Sequence, residues 1–195
     1  MVRRTLVTYP EIVIAGCGNP LFADDGFGPA VAEELMRWRL PDNILTLDVG
    51  TSSSQYLFSM LDPDTTKKLI VVDVTDFGGK PGSVIVFRIG DLPAESIRDA
   101  HYDGIIESIN EVRNKIEIII VGCQPKRVTY PGMEIELSAE VVRAIPVTVR
   151  RIFDLLGLDY RTISVERYPY RYRNKLQGDK SASYESPLNC TLSVS

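Results

Sequence analysis

"GCGNPLFADDGFGP", residues 16–29, decides the fold, because it follows the apolar run 12–15 and precedes a helical pattern. Glycines between a strand and a helix are typical of the first turn of an α/β sheet, where nucleotides often bind. The dinucleotide fingerprint requires a third glycine, but Leu21 occupies that position. Asp24 and Asp25 would also repel a pyrophosphate, so we expect no nucleotide cofactor. The stretch instead predicts a carboxylate that is offered to a metal ion.

Apolar patterns predict the elements that follow this turn. Near-continuous Ile and Val runs predict four strands covered on both faces, as in a parallel sheet: residues 11–17, 44–48, 69–74 and 116–122. Helical spacing of apolar residues predicts helices near residues 30–38, 53–61, 102–114 and 138–157, the last of them kinked by Pro146. Residues 82–90 follow a turn rich in glycine and proline, which predicts an antiparallel edge strand.

The order of these elements predicts the fold class and the domain limits. Strands that alternate with helices favour an α/β protein, here a single-domain three-layer sandwich with a mostly parallel twisted sheet, one antiparallel edge strand and helices on both faces. A chain of 195 residues suits one such domain, which we expect over residues 1–160. Residues 161–195 are polar, tyrosine-rich and without helical period, which predicts a C-terminal arm or tail.

Charge and cysteine content limit the classes of partner. The chain has 22 Lys and Arg against 26 Asp and Glu, and this net charge of −4 disfavours a general nucleic-acid binder. The stretch RYPYRYR, residues 167–173, could stack on single strands, but nothing else forms a basic groove, so packing of its rings on the domain surface is favoured. No apolar run is long enough to span a bilayer, and the three cysteines form no C-x-x-C pair, so we expect a cytoplasmic protein without membrane contact.

Three side chains are the candidates for the chemistry. Asp25 follows the first predicted strand, Asp73 ends the third, and His101, the single histidine, precedes a predicted helix. Because the carboxyl ends of parallel strands meet at one edge of a sheet, these side chains could form an open site for zinc or nickel. The alternative is that Asp24, Asp25 or both cap the helix that follows, as Asp often does. Spacing alone leaves both interpretations open.

A cysteine peptidase is a further alternative. His101 could pair with Cys17 or Cys123, since both cysteines lie where a predicted strand ends. Small residues that pack beneath the crevice explain these cysteines better, because buried thiols are inert.

Five stretches occur in the order seen in the hydrogenase maturation endopeptidases of the HybD and HycI type: GCGNPLFADDGFG, LDVGTS, LIVVDVTDFGGKPGSV, DAHYDGIIESI and IIIVGCQP. The first matches the family pattern G-x-G-N-x-L-x-x-D-D/E-x-x-G, and the chain resembles the family over about residues 11–157. The resemblance implies an endopeptidase that removes a C-terminal extension from the nickel-loaded precursor of a nickel-iron hydrogenase large subunit. The family's metal-contacting and catalytic positions fall on Asp25, Asp73 and His101.

The resemblance also implies how substrate and metal are bound. Nickel is recognised in the substrate, and zinc or another divalent ion could occupy the same site. We expect a monomer whose partner is the hydrogenase precursor. The resemblance is strongest to archaeal methanogen members that serve deazaflavin-reducing hydrogenases, the FrhD or FrcD type. A non-enzymatic nickel-binding chaperone or scaffold for the same precursor is the alternative. The substrate cleft falls on Gly18, Asn19, Asp48, Gly50 and Thr51.

Overall fold

The computed structural model describes residues 9–51, 54–89 and 115–165. Five strands, three α-helices and one 3-10 turn lie in this part of the chain. In chain order they are β1 (Ile12–Cys17), the 3-10 turn (Asp24–Gly26), α1 (Phe27–Leu35), β2 (Ile44–Gly50), α2 (Ser54–Ser59), β3 (Lys68–Val74), β4 (Val84–Arg88), β5 (Glu117–Cys123) and α3 (Ala139–Leu156). The helix expected at 102–114 and the arm beyond residue 165, which contains RYPYRYR, lie outside the described residues.

The strands form one twisted sheet in the order β2-β1-β3-β5-β4. β1 pairs in parallel with β2 and with β3, and β3 pairs in parallel with β5. β4 lies at the edge and pairs with β5 in the antiparallel direction. The prediction of a mostly parallel sheet with one antiparallel edge strand is therefore confirmed. Because β1, β2 and β3 are parallel neighbours, their carboxyl ends lie side by side at one edge.

Helices cover both faces of this sheet, which confirms the three-layer architecture. On one face, α1 and α3 bury a large cluster that includes Phe27, Ile145 and Phe153. On the other face, Leu57 of α2 packs with Leu61 and with strand residues that point the same way. The central strands are buried on both sides, which explains why their sequences show no polar alternation.

Two glycines of the opening stretch allow α1 to lie directly on the sheet. A Cβ atom on Gly16 would be 2.7 Å from the carbonyl carbon of Gly28 and 2.8 Å from the Cβ atom of Ala32. A Cβ atom on Gly28 would be 2.6 Å from the backbone nitrogen of Cys17. Such distances exclude any side chain, so both positions require glycine. Close helix–sheet packing, one of the roles of glycine in the nucleotide fingerprint, therefore accounts for these glycines without a phosphate.

The longest helix, α3, begins and ends as its sequence predicts. Ser138 is its N-cap residue, and Gly157 adopts a left-handed conformation at φ 67° directly after it. The helix continues through Pro146. After α3 the chain turns back along the core, and the backbone N–H of Arg39 donates a hydrogen bond of 3.1 Å to the carbonyl oxygen of Ser164. In the described residues, no helix is both long and apolar enough to cross a membrane.

Candidate active site

The turns that follow β1, β2 and β3 meet at the carboxyl edge of the sheet. The backbone N–H of Gly18 donates a hydrogen bond of 3.1 Å to the carbonyl oxygen of Gly50, which joins the turn after β1 to the end of β2. Gly18 has φ 119°, and a Cβ atom on it would be 3.2 Å from the carbonyl carbon of Asp25 and 3.4 Å from Oδ1 of Asp73. Gly18 therefore lies between the two acids that the sequence singles out, and a side chain there would overlap the backbone carbonyl of Asp25 and touch the Asp73 carboxylate.

Asp25 is half-buried within the 3-10 turn that precedes α1. Its Oδ2 accepts a hydrogen bond of 2.8 Å from the backbone N–H of Asn19. The side chain of Asn19 in turn accepts a hydrogen bond of 3.0 Å from the backbone N–H of Leu21. Through these two hydrogen bonds, Asn19 stabilises the loop between β1 and the 3-10 turn and holds the Asp25 carboxylate in place.

Asp73 ends the central strand β3 and is only 8% exposed. Burial away from water is the main cause that raises the pKa of its carboxyl to about 7. The hydrogen bond of 2.7 Å from the backbone N–H of Val74 opposes this shift, and the negative charge of Asp25 adds to it. The two carboxyls are therefore close enough to interact. Such a pair can bind a cation, which favours both charges, or hold one proton between a charged and a neutral acid.

The carboxyl end of β2 contributes an exposed acid at the same edge as this pair. Oδ1 of Asp48 accepts a hydrogen bond of 3.0 Å from the backbone N–H of Gly50, which has φ 53°. Thr51 follows directly and is exposed. The charge of Asp48 contributes to the raised pKa of Cys17, so this acid also faces the end of β1. The structure thus brings together Gly18, Asn19, Asp25, Asp48, Gly50 and Asp73 at one edge.

His101 lies outside the described residues. Among the residues that the structure describes, no group of three His, Cys, Asp or Glu side chains has an arrangement that could hold a metal ion. Asp48 therefore does not complete a set of three with Asp25 and Asp73. Two carboxylates offer hard oxygen donors and leave the remaining positions around an ion open to other ligands.

Asp24 does not act as a helix cap. No side chain caps the 3-10 turn or α1 through a hydrogen bond, so this alternative is wrong for both acids of the pair. Asp24 is fully buried, and its carboxylate accepts hydrogen bonds from the backbone N–H groups of Lys126, Arg127 and Ser138 at 2.6–3.0 Å. The hydroxyl of Ser138 donates a fourth at 3.0 Å. Asp24 therefore ties the acidic turn to the segment that leads into α3.

The two described cysteines do not resemble nucleophiles. Cys17 and Cys123 are 5% and 0% exposed. Burial raises the pKa of Cys17 above the usual range for a thiol, with further contributions from Asp73 and Asp48. Burial also raises the pKa of Cys123 to about 12, with a smaller contribution from Asp24. Because the thiolate is the reactive form, these environments favour the packing role over the cysteine-peptidase alternative.

Comparison with known proteins identifies the family of this chain. The model of the hydrogenase maturation protease family matches residues 29–155. Coenzyme F420 hydrogenase subunit delta of Methanothermobacter thermautotrophicus is 37% identical over 152 residues, which are 76% of this chain and 96% of that protein. The crystal structure of the NiFe hydrogenase maturation protease HycI from Thermococcus kodakarensis is 25% identical, with a TM-score of 0.62 over 75% of this chain and 92% of that one.

The hydrogenase maturating endopeptidase HybD from E. coli shares the fold at 22% identity. Its TM-score is 0.65, over 80% of this chain and 96% of that one. The family model covers more than half of the chain, and the methanogen relative is aligned over almost its whole length. The chain therefore belongs to the hydrogenase maturation protease family.

Proposed function

We propose that this protein is an endopeptidase that removes a C-terminal extension from the nickel-loaded precursor of a nickel-iron hydrogenase large subunit. Family membership supports the peptidase activity. The observation that carries the site is the meeting of Asp25 and Asp73 at the carboxyl edge of the sheet, with Gly18 between them. That edge is where α/β proteins most often bind their ligands. The 37% identity to coenzyme F420 hydrogenase subunit delta supports a methanogen hydrogenase of that type as the source of the substrate.

The carboxylates select the metal-loaded precursor. Asp25 and Asp73 contact the nickel ion of the substrate or orient the attacking water, and His101 completes the coordination or moves a proton. A contact that only one form of the precursor can make favours binding of that form by the free energy of the contact. Precursor without nickel lacks the ion and is therefore held less tightly. Zinc or another divalent ion can bind the same donors in the isolated protein.

Paired precursors test this proposal. Nickel-loaded and nickel-free large-subunit precursor are each incubated with the protein, and the intact masses are measured. We expect shortening of the loaded precursor only. Asp25→Asn, Asp73→Asn and His101→Ala should each abolish shortening, whereas Asp154→Asn, an exposed acid on α3, should process like wild type.

Two outcomes would contradict the proposal in different ways. Normal processing by Asp25→Asn or Asp73→Asn would show that the site lies elsewhere. Tight binding of loaded precursor by the wild type without any change of mass would instead favour the nickel-binding chaperone or scaffold.

A further inference from the structure

Exposed apolar side chains are concentrated beside the acidic edge. Eight large apolar side chains of the described residues are exposed, and five of them lie in two adjacent loops. Tyr130, Met133 and Ile135 are 75%, 76% and 67% exposed. Large apolar side chains gathered on a surface mark interaction sites more often than single ones do. The apolar patch is defined here as Leu21, Val128, Tyr130, Met133 and Ile135.

Backbone hydrogen bonds hold the apolar patch against the loop that carries Asp25. The N–H of Glu134 donates a hydrogen bond of 2.8 Å to the carbonyl oxygen of Leu21, and the N–H of Ala23 donates to the carbonyl oxygen of Glu134. The ring of Phe22 packs edge-on against Tyr130, with 5.2 Å between the ring centroids. The Asp24 carboxylate anchors the start of the same segment. The patch therefore begins within four residues of Asp25 and has a fixed position relative to it.

Charged residues border this patch. Arg127 forms an ion pair with Glu134, and Lys126 forms one with Glu140 at 2.9 Å. An apolar centre within a polar border is the usual organisation of a protein–protein interface, and aromatic residues and Met are enriched in such centres. The composition thus fits a protein partner.

The charge of the neighbouring edge indicates what this partner carries. Asp48 and Asp73 lie near the carboxyl ends of β2 and β3, and Asp25 and Asp76 lie in the turns after β1 and β3. In the described part of the chain, none of them belongs to an ion pair with a Lys or Arg side chain. A complementary partner presents a cation beside apolar side chains.

We infer that the apolar patch is the docking surface for the folded hydrogenase precursor, placed so that the metal centre of the precursor meets Asp25 and Asp73. This inference rests on the proposed function. The precursor supplies the cation through its nickel. A subunit that has not yet assembled also exposes the apolar surface that an obligate interface later buries. The patch binds the body of the precursor, while the acids bind its metal.

Docking of this kind explains how a two-carboxylate site can act on one bond of one protein. Binding energy from parts of the substrate far from the reacting bond positions that bond. The patch supplies such contacts without taking part in the chemistry. Its loss should therefore weaken precursor binding and leave the step after binding unchanged.

A double substitution in the full-length protein tests the inference. Met133→Ser combined with Ile135→Ser removes two exposed side chains that support no described core packing. The matched control combines Met36→Ser with Val147→Ser, which are 50% and 48% exposed on the helical layer. Both proteins are compared with wild type for the KM and kcat of nickel-loaded precursor and for equilibrium binding of the same precursor. Sedimentation gives their oligomeric states.

We expect the patch variant to raise KM and Kd by about tenfold or more, since central apolar contacts often contribute over 1 kcal/mol each. Its kcat should stay within about twofold of wild type, because the acids are untouched, and the control should match wild type. Unchanged KM and Kd in the patch variant would overturn the docking surface and leave the peptidase intact. If the wild type binds the precursor without shortening it, and the patch variant no longer binds it, the result would support the docking surface and overturn the peptidase activity. If the wild type is a dimer and the patch variant is a monomer, the patch is covered by a second copy of this chain, and the inference is overturned.

Discussion

The carboxylate of Asp24 accepts two hydrogen bonds from Ser138, one from its backbone N–H at 2.6 Å and one from its hydroxyl at 3.0 Å. Ser138 lies 114 residues further along the chain and is the N-cap residue of α3. The neighbouring Asp25 points to the carboxyl edge of the sheet instead. Two consecutive acids thus have different tasks: one fixes the turn to the fold, and the other is presented at the candidate site.

Replacement of Asp24 by Ala should reduce the free energy of unfolding by about 3 kcal/mol or more, because it leaves four hydrogen-bond donors, two of them buried, without their acceptor. Asp25→Ala removes a single hydrogen bond and should cost about 1 kcal/mol or less. Urea unfolding followed by circular dichroism measures both. Equal losses in the two variants would show that Asp24 is not the structural member of the pair.

Gly28→Ala should destabilise the protein by about 3 kcal/mol or more, because the added methyl group overlaps the backbone of β1. Glu33→Ala in the same helix is the control and should change stability by less than about 0.5 kcal/mol. The midpoint of thermal unfolding ranks the variants. A stable Gly28→Ala protein with a native spectrum would contradict the close contact between α1 and the sheet.

The raised pKa of Asp73 predicts a dependence of stability on pH in the metal-free protein. The unfolded carboxyl ionises near its ordinary pKa of about 4, whereas the folded carboxyl keeps its proton up to about pH 7. Between these values the folded state binds more protons, so the free energy of unfolding falls as pH rises. Asp73→Asn lacks this group and should gain stability relative to wild type across that interval, by about 1.4 kcal/mol per unit of pKa difference.

Urea titrations of wild type and Asp73→Asn from pH 4 to pH 8 measure this difference. Asp154→Asn, an exposed acid, is the control and should track wild type at each pH. A stability difference between wild type and Asp73→Asn that is the same at both ends of the range would falsify the raised pKa.

The buried thiols should be unreactive in the native protein. In a Cys190→Ser background, Cys17 and Cys123 should react with a thiol reagent at pH 8 only after unfolding, because burial raises the pKa of both thiols. Cys17→Ala and Cys123→Ala should still shorten the precursor. Rapid labelling of one thiol together with loss of processing would restore the cysteine-peptidase alternative.

The local patterns of the chain were sufficient for most of the described fold. The Ile and Val runs predict β1, β3 and β5 because strands buried on both faces need apolar residues at every position. β2 is also a strand, as predicted, but the expectation that both its faces are covered is wrong: it lies at an edge of the sheet and is only partly buried. Apolar residues at helical spacing, followed by Gly157, predict α3 and its end, since the left-handed conformation that often follows a helix favours glycine. These features depend on neighbours that lie close in sequence, and for that reason they can be inferred without coordinates.

The candidate site could be inferred in part. The prediction of parallel strands, whose carboxyl ends share an edge, indicates that Asp25 and Asp73 approach each other. The sequence does not show whether Asp48 could bind a metal ion together with Asp25 and Asp73, because that depends on how the backbone orients each side chain. In the described residues these acids form no such group of three. The apolar patch also escaped prediction: the segment TYPGMEIEL, residues 129–137, has alternating apolar residues, yet sequence alone does not show which of them face solvent.

The sequence by itself determined the strands, the ends of α3 and the family, because these follow from short-range periodicity and from a dense motif at residues 16–28. Only the tertiary structure decided that Asp24 is an internal anchor, that Gly16 and Gly28 serve close packing, and that five exposed apolar side chains adjoin the acidic edge. Each of these depends on contacts between segments far apart in the chain. Such contacts exist only once the buried sheet has brought the segments together.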